Sequence, residues 1–232
     1  DLGAQGSPLV YFRTRREVIR FLYLHEFCHW WLYLTHGWGS AAARAPGADD
    51  NASGIAVLTE TIRVLAEAGF RPKRTVQIMG YAAEEVGLRG SKDIASRYAQ
   101  GGKKVVGVIQ FDMTNFKGSG DGIFLLDDYV DPELTAFLGK LVDAYLSVKW
   151  STTRCGYACS DHASWNRSGF AASAAFESTF DGMNHSIHTE KDTLANMGGD
   201  ASHSVPFAQL AAAFAIELAK SVAIHKEAFI LG

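Results

Sequence analysis

Arg74-Thr75-Val76-Gln77-Ile78-Met79-Gly80-Tyr81-Ala82-Ala83-Glu84-Glu85 is the stretch on which the reading of this chain turns. Residues 74 to 81 form a short apolar run with β-branched members and no helical period, which predicts a buried strand. Two adjacent carboxylates follow where that strand is expected to end. In open α/β sheets reactive groups collect in the crevice beyond the carboxyl ends of the strands, so Glu84 and Glu85 fall at a place suited to chemistry. Neighbouring side chains leaving a strand diverge, which lets one glutamate hold a metal while the other faces a substrate. An isolated Glu-Glu pair is more often a solvated loop, so the surrounding residues have to decide.

Outward from that stretch, apolar strands alternate with helical patterns. Ser53 to Ala68 carries Ile55, Val57, Leu58, Ile62, Val64 and Leu65 at helical spacing, with Ser53 as the expected cap and Gly69 as the stop. Ile94 to Ala99 is expected to be helical, Val105 to Phe111 a second buried strand ending at Asp112, and Ile123 to Leu126 a third. Pro132 to Leu146 has a helical apolar stripe, Ala171 to Phe176 reads as a strand, and Val205 to Ala223 as a closing amphipathic helix. This alternation predicts an α/β fold, a mixed, mostly parallel twisted sheet sandwiched by helices. The 232 residues fit one domain.

A formal net charge of −3 gives no basic field, so nucleic acid is not an expected partner. The most apolar stretch, Val18 to Leu34, is interrupted by Arg20, His25, Glu26 and His29, which argues against a membrane span. The chain starts at Asp1 without a basic and apolar leader and is therefore expected to be a processed or trimmed form. Of its three cysteines, Cys155 and Cys159 flank a tripeptide with Gly156 while Cys28 stands alone. One local disulfide and one free thiol is the simplest count, and a disulfide points to an oxidising compartment.

Asp50, Glu85, Asp112 and His188 fall after strand ends or in loops, and carboxylates mixed with imidazole suit zinc or another first-row divalent ion. Taken singly each reads as a cap, turn or surface residue. Together, five strings resemble a known family: residues 45 to 54 (APGADDNASG), residues 81 to 90 (YAAEEVGLRG), Phe111-Asp112-Met113-Thr114-Asn115, residues 155 to 162 (CGYACSDH) and Ile187-His188-Thr189. They are similar to the secreted bacterial leucyl aminopeptidases of the M28 zinc peptidase family, in the family's order and approximate spacing, from about residue 45 to 220.

The resemblance implies a zinc-dependent exopeptidase fold, phosphorylase/hydrolase-like, and a secreted enzyme, here expected to be a monomer, acting on peptides with a free N-terminus and a bulky apolar first residue. It makes Asp50 the carboxylate bridging two zinc ions, Glu85 and His188 the other ligands of one ion, and Asp112 a ligand of the second. It makes Glu84 the general base and Tyr157, held by a Cys155–Cys159 link, a hydrogen-bond donor to the tetrahedral intermediate. Met113, Phe176 and Phe180 match the pocket for the first side chain, and Met183 falls in that pocket where the resembled enzymes usually have an aromatic residue. It also implies a cis peptide between Asp50 and Asn51.

Residues 1 to 44 depart from the pattern, as a divergent, truncated or misread segment would. The family's Gly-Gly-His-Leu-Asp-Ser string is missing, and His29, 21 residues before Asp50, is the candidate ligand that would complete the second site. A rival motif overlaps it. His25-Glu26-Phe27-Cys28-His29 fits His-Glu-x-x-His, the pattern of a single-zinc endopeptidase with Glu26 activating water. His36 lies one residue beyond where an extended form of that motif places its third ligand. The remaining alternative is an inactive relative that only binds peptides, against which the retained Glu84 argues.

Overall fold

The computed structural model describes residues 45–220 and 228–231. The elements in chain order are α1 (Ala52–Glu67), β1 (Thr75–Ile78), α2 (Arg89–Gln100), β2 (Val105–Phe111), β3 (Gly122–Leu126), α3 (Pro132–Tyr145), β4 (Lys149–Thr153), α4 (His162–Arg167), β5 (Ala172–Phe176), α5 (Val205–Lys220) and β6 (Ala228–Leu231), with short 3-10 turns between β5 and α5. The described strands form one six-stranded sheet in the order β1-β6-β2-β5-β3-β4. All pairs are parallel except β3 with β5, where Phe124 faces Phe176. The sheet is mixed and mostly parallel, as the alternation of elements implied.

Alternation along the strands sends side chains to two helical layers. Ile109, Phe111, Ile123, Leu125 and Ala175 join Val57 and Leu58 of α1, Leu134 and Leu138 of α3, and Phe207, Leu210 and Phe214 of α5 in one core. Val108 and Ala172 turn to the other face, against Ile94, Ala95 and Tyr98 of α2 and Trp165 of α4. Met113, Leu126, Ala174 and Phe176 form a third cluster with Phe180, Met183 and Ile187 gathered on it.

Several boundaries differ from the sequence reading. The cap of α1 is Asn51, whose Oδ1 accepts from Gly54 N, while Ser53 is buried and donates to Asp49 O. The asparagine wins because its Nδ2 also donates to Phe111 O at 3.0 Å, which ties the helix start to the end of β2. The first strand stops at Ile78 rather than Tyr81, since β6 pairs it only from Thr75 to Ile78. The edge strand β4, the short helix α4 and β6 are additional to the elements read from sequence. His25, Glu26, Cys28, His29, His36 and residues 221–223 of the expected last helix lie outside the described residues.

Candidate metal centre

Glu84 and Glu85 sit on the loop that carries the chain from β1 into α2. The loop folds back on itself: Leu88 N donates to Glu84 O at 2.8 Å, Arg89 N to Ala83 O at 3.1 Å and Gly90 N to Ala82 O at 3.0 Å. Only glycine fits at position 90, because an added Cβ would lie 2.5 Å from Ala82 O. Ala83, just before the glutamates, has φ 59°, a left-handed conformation that L residues avoid. The pair is therefore held six and seven residues beyond the strand by turn bonds rather than by the sheet.

Asp50 follows a peptide bond that is fixed on one side by Asp192, whose carboxylate accepts from both Asp49 N at 3.0 Å and Asp50 N at 3.2 Å. The Asp50–Asn51 peptide is cis, as the resemblance implied. His188 arrives from the loop after β5, with φ 60°. Its Nε2 lies 2.9 Å from Asp50 Oδ2 and 2.9 Å from Glu85 Oε1. Ligand atoms of Asp50, Glu85 and His188 all fall within 4.8 Å of one another, so three of the residues picked from sequence converge on one point. Asp112, at the end of β2, lines the same pocket but stands outside that triplet; it accepts a hydrogen bond from Ser160 Oγ.

The electrostatics ask for a cation. Burial, then the charges of Asp112, Asp161, Glu85 and Asp50, push the Glu84 carboxyl up to about 10. Asp112 is raised by burial and by Asp50, and burial raises Asp161 to about 7. Burial also lifts Asp50 to about 6 despite the attraction of His188. His188, hydrogen-bonded by Asp50 and then Glu85, is pushed up to about 10 when no metal is bound. Asp161 Oδ1 is buried without a hydrogen-bond partner among the described residues. Five carboxylates crowded around one imidazole would be stabilised together by a divalent ion. An imidazole nitrogen with two carboxylate oxygens is a donor set that zinc accepts at about 2.0–2.2 Å. The residues fit zinc, and Asp50, Glu85 and His188 are the ones that would hold it.

The rest of the pocket is apolar. A cavity of about 320 Å³ is lined by Met113, Phe176, Phe180 and Met183, all read from sequence, and by Leu126, Ala174 and Ile187, which were not. Period-2 alternation from Phe176 along β5 is the signal that would have found Ala174; Leu126 closes β3, which pairs with β5. Phe176 and Phe180 stack with ring centres 6.1 Å apart, and Tyr157 meets Phe180 edge-on at 6.1 Å. Cys155 and Cys159 are joined in a disulfide, as expected. Asp128 accepts from Cys155 N at 3.2 Å and Gly156 N at 2.7 Å, so the loop presenting the 56% exposed Tyr157 is anchored at its root. Nearby carboxylates and burial raise the Tyr157 hydroxyl, burial foremost, which keeps it a donor. No helix among the described residues is long and apolar enough to cross a membrane.

The family model for peptidase family M28 matches residues 27–213. A probable leucine aminopeptidase of Arthroderma benhamiae is 41% identical over 179 residues, covering 75% of this chain and 49% of the relative. A probable aminopeptidase of Saccharomyces cerevisiae is 43% identical over 156 residues, covering 65% and 42%. Among solved structures, the LapA aminopeptidase of Legionella pneumophila superposes with a TM-score of 0.73 at 38% identity, covering 78% of this chain and 49% of that one. A zinc aminopeptidase of Bacillus subtilis shares the fold at 19% identity, with a TM-score of 0.62, covering 80% and 45%. The chain spans about half the length of the curated relatives it matches. With a match this long, and with the strings after β1 and β2 and in the last loop gathered at one end of the sheet, the chain belongs to peptidase family M28.

Proposed function

We propose that this chain is a zinc aminopeptidase that hydrolyses the first peptide bond of peptides with bulky apolar N-terminal residues. The observation that carries the reading is the convergence of Asp50, Glu85 and His188 at the rim of an apolar pocket on which Glu84 also opens. Zinc in such a donor set supplies Lewis acidity toward a carbonyl oxygen and toward water. Glu84 takes a proton from the attacking water and returns it to the leaving amine, a role open to a carboxylate that faces the same pocket as the donor set. The Tyr157 hydroxyl donates to the oxygen that becomes negative as the carbonyl carbon turns tetrahedral. Phe176, Phe180, Met113 and Met183 receive the first side chain, and the surrounding carboxylates attract the free α-ammonium group.

A second ion would use Asp50 and Asp112 and depend on a further donor, for which His29 is the candidate. The site with three protein donors binds zinc more tightly than the other. A disulfide-tethered loop supports an extracellular location for the protein. The test is hydrolysis of 4-nitroanilides of leucine, lysine and glutamate, and of N-acetyl-leucine. Leucine anilide should be cleaved fastest by at least tenfold and the acetylated substrate not at all; preference for a charged residue or cleavage of the blocked substrate contradicts the reading.

A further inference from the structure

Behind the centre lies a second polar cluster with no access to the pocket. Asp49 and Glu177 are 0% exposed, Asn184 and Asp192 1% and Asn115 2%. Three buried carboxyl groups are costly unless each is fully hydrogen-bonded, and here their partners are backbone donors of the loops that carry the centre, the Asn184 side chain, and a hydrogen bond between Asp49 and Glu177. Glu177 accepts from Asn115 N at 3.1 Å, Phe116 N at 2.7 Å and Asn184 N at 3.2 Å. Asp49 accepts from Asn115 N at 3.2 Å and Asn184 Nδ2 at 3.0 Å. Asp192 accepts from Asp49 N and Asp50 N. Asn184 Oδ1 in turn accepts from Ser186 N at 2.9 Å, two residues before His188.

We propose that Glu177, with Asp49 and Asp192, is a positioning hub that sets Asp50, Asp112 and His188 relative to one another. The inference rests on the zinc-site reading above. Asp112 directly follows β2, but Asp50 and His188 lie on loops outside the sheet, so the sheet's ladder alone does not fix the spacing of the three. The hub does, by gathering the backbone at 49–50, 115–116 and 184 onto acceptors. A carboxylate is suited to this where an amide is not, because it offers two acceptor oxygens and an amide only one. Met113 and His188, on two of the tethered loops, have φ 63° and 60°, conformations that persist only where the surroundings over-determine them. Positioning partners behind a metal site set how tightly its ligands grip, and their loss commonly weakens metal binding by about 10–100-fold.

The isosteric amides test this. Glu177→Gln takes an acceptor from one of the Glu177 tethers, and Asp192→Asn takes one from either Asp49 N or Asp50 N. Thr135→Val is the control: it removes a buried hydrogen bond to Ser173 at 2.8 Å between α3 and β5, away from the hub. Zinc affinity is measured by competition with a chromophoric chelator at fixed pH, with circular dichroism checking that each variant is folded, and kcat and KM are measured in parallel. Either amide variant that folds should bind zinc about 10–100-fold more weakly, with kcat reduced and KM little changed. Thr135→Val should lower the melting temperature alone. Amide variants that melt earlier but keep wild-type zinc affinity and kcat would show that the cluster only supports the fold, and would overturn the proposal while leaving the zinc site intact. Absence of zinc binding in the wild-type protein would remove the zinc-site reading, and this inference with it.

Discussion

Adjacent in sequence, Glu84 and Glu85 are separated in task by the turn at Ala83, and their substitutions should fail differently. Glu85 lies 2.9 Å from His188 in the donor set, whereas Glu84 is outside it. Glu84→Ala should lose most turnover, about a hundredfold or more, with zinc retained, while Glu85→Ala should lose zinc as well; metal analysis after gel filtration checks this, and equal zinc loss in both variants contradicts it. Tyr157→Phe keeps the ring against Phe180 and removes only the donor, so kcat should drop about 10²–10³-fold with little change in KM. At this scale the sequence was legible wherever a short string carried the pattern: Asp50, Glu84, Glu85, Asp112, Tyr157 and His188 were all named from it, and the structure gathers them around one pocket. Asp49, Glu177 and Asp192 were not legible. A buried carboxylate that accepts backbone hydrogen bonds looks in sequence like any acidic loop residue, and burial is settled only by tertiary packing.

The centre depends on how closely α1 approaches the end of β2. Gly54, one turn into the helix, faces Phe111 O, and an added Cβ there would lie 2.3 Å from that oxygen. Gly54→Ala should therefore push α1 off the sheet, destabilise the protein by a few kcal/mol and weaken zinc binding by displacing Asp50. Asn51→Ala removes the helix cap and the bond to Phe111 O together and should cost more than the roughly 1 kcal/mol of a cap alone. Urea denaturation with and without zinc measures both. Helices and strands with a long apolar stripe or run, such as α1, α3, β2 and β5, were readable because burial writes itself into their period. Lys149–Thr153 is readable only with its neighbour known, since an edge strand that is mostly exposed has no apolar face to display. The six-residue α4 is too short for a period, and Ala228–Leu231 gains its identity from pairing with β1 and β2, not from its four residues.

Over the whole molecule, the acidic interior makes the metal-free protein pH-sensitive. Asp50 at about 6, Asp161 at about 7, Glu177 at about 9, Glu84 at about 10 and His188 at about 10 are all raised above their ordinary values. Each holds its proton more tightly folded than unfolded, so its contribution is complete below the unfolded pKa and is lost as pH rises through the folded one. His162, lowered to about 4 by burial, works the other way but only between about 4 and 6.5. Chelator-treated protein should consequently melt at a lower temperature at pH 8.5 than at pH 6.5, and zinc should reverse this trend, because binding requires deprotonated ligands and favours the folded state. The centre itself is tested most directly by titrating zinc back into chelator-treated protein while following leucine 4-nitroanilide hydrolysis. Activity should return with the first, tightly bound equivalent and be abolished, together with that binding, in His188→Ala. Hydrolysis by the metal-free protein, or tight zinc binding and activity that survive His188→Ala, would contradict the account.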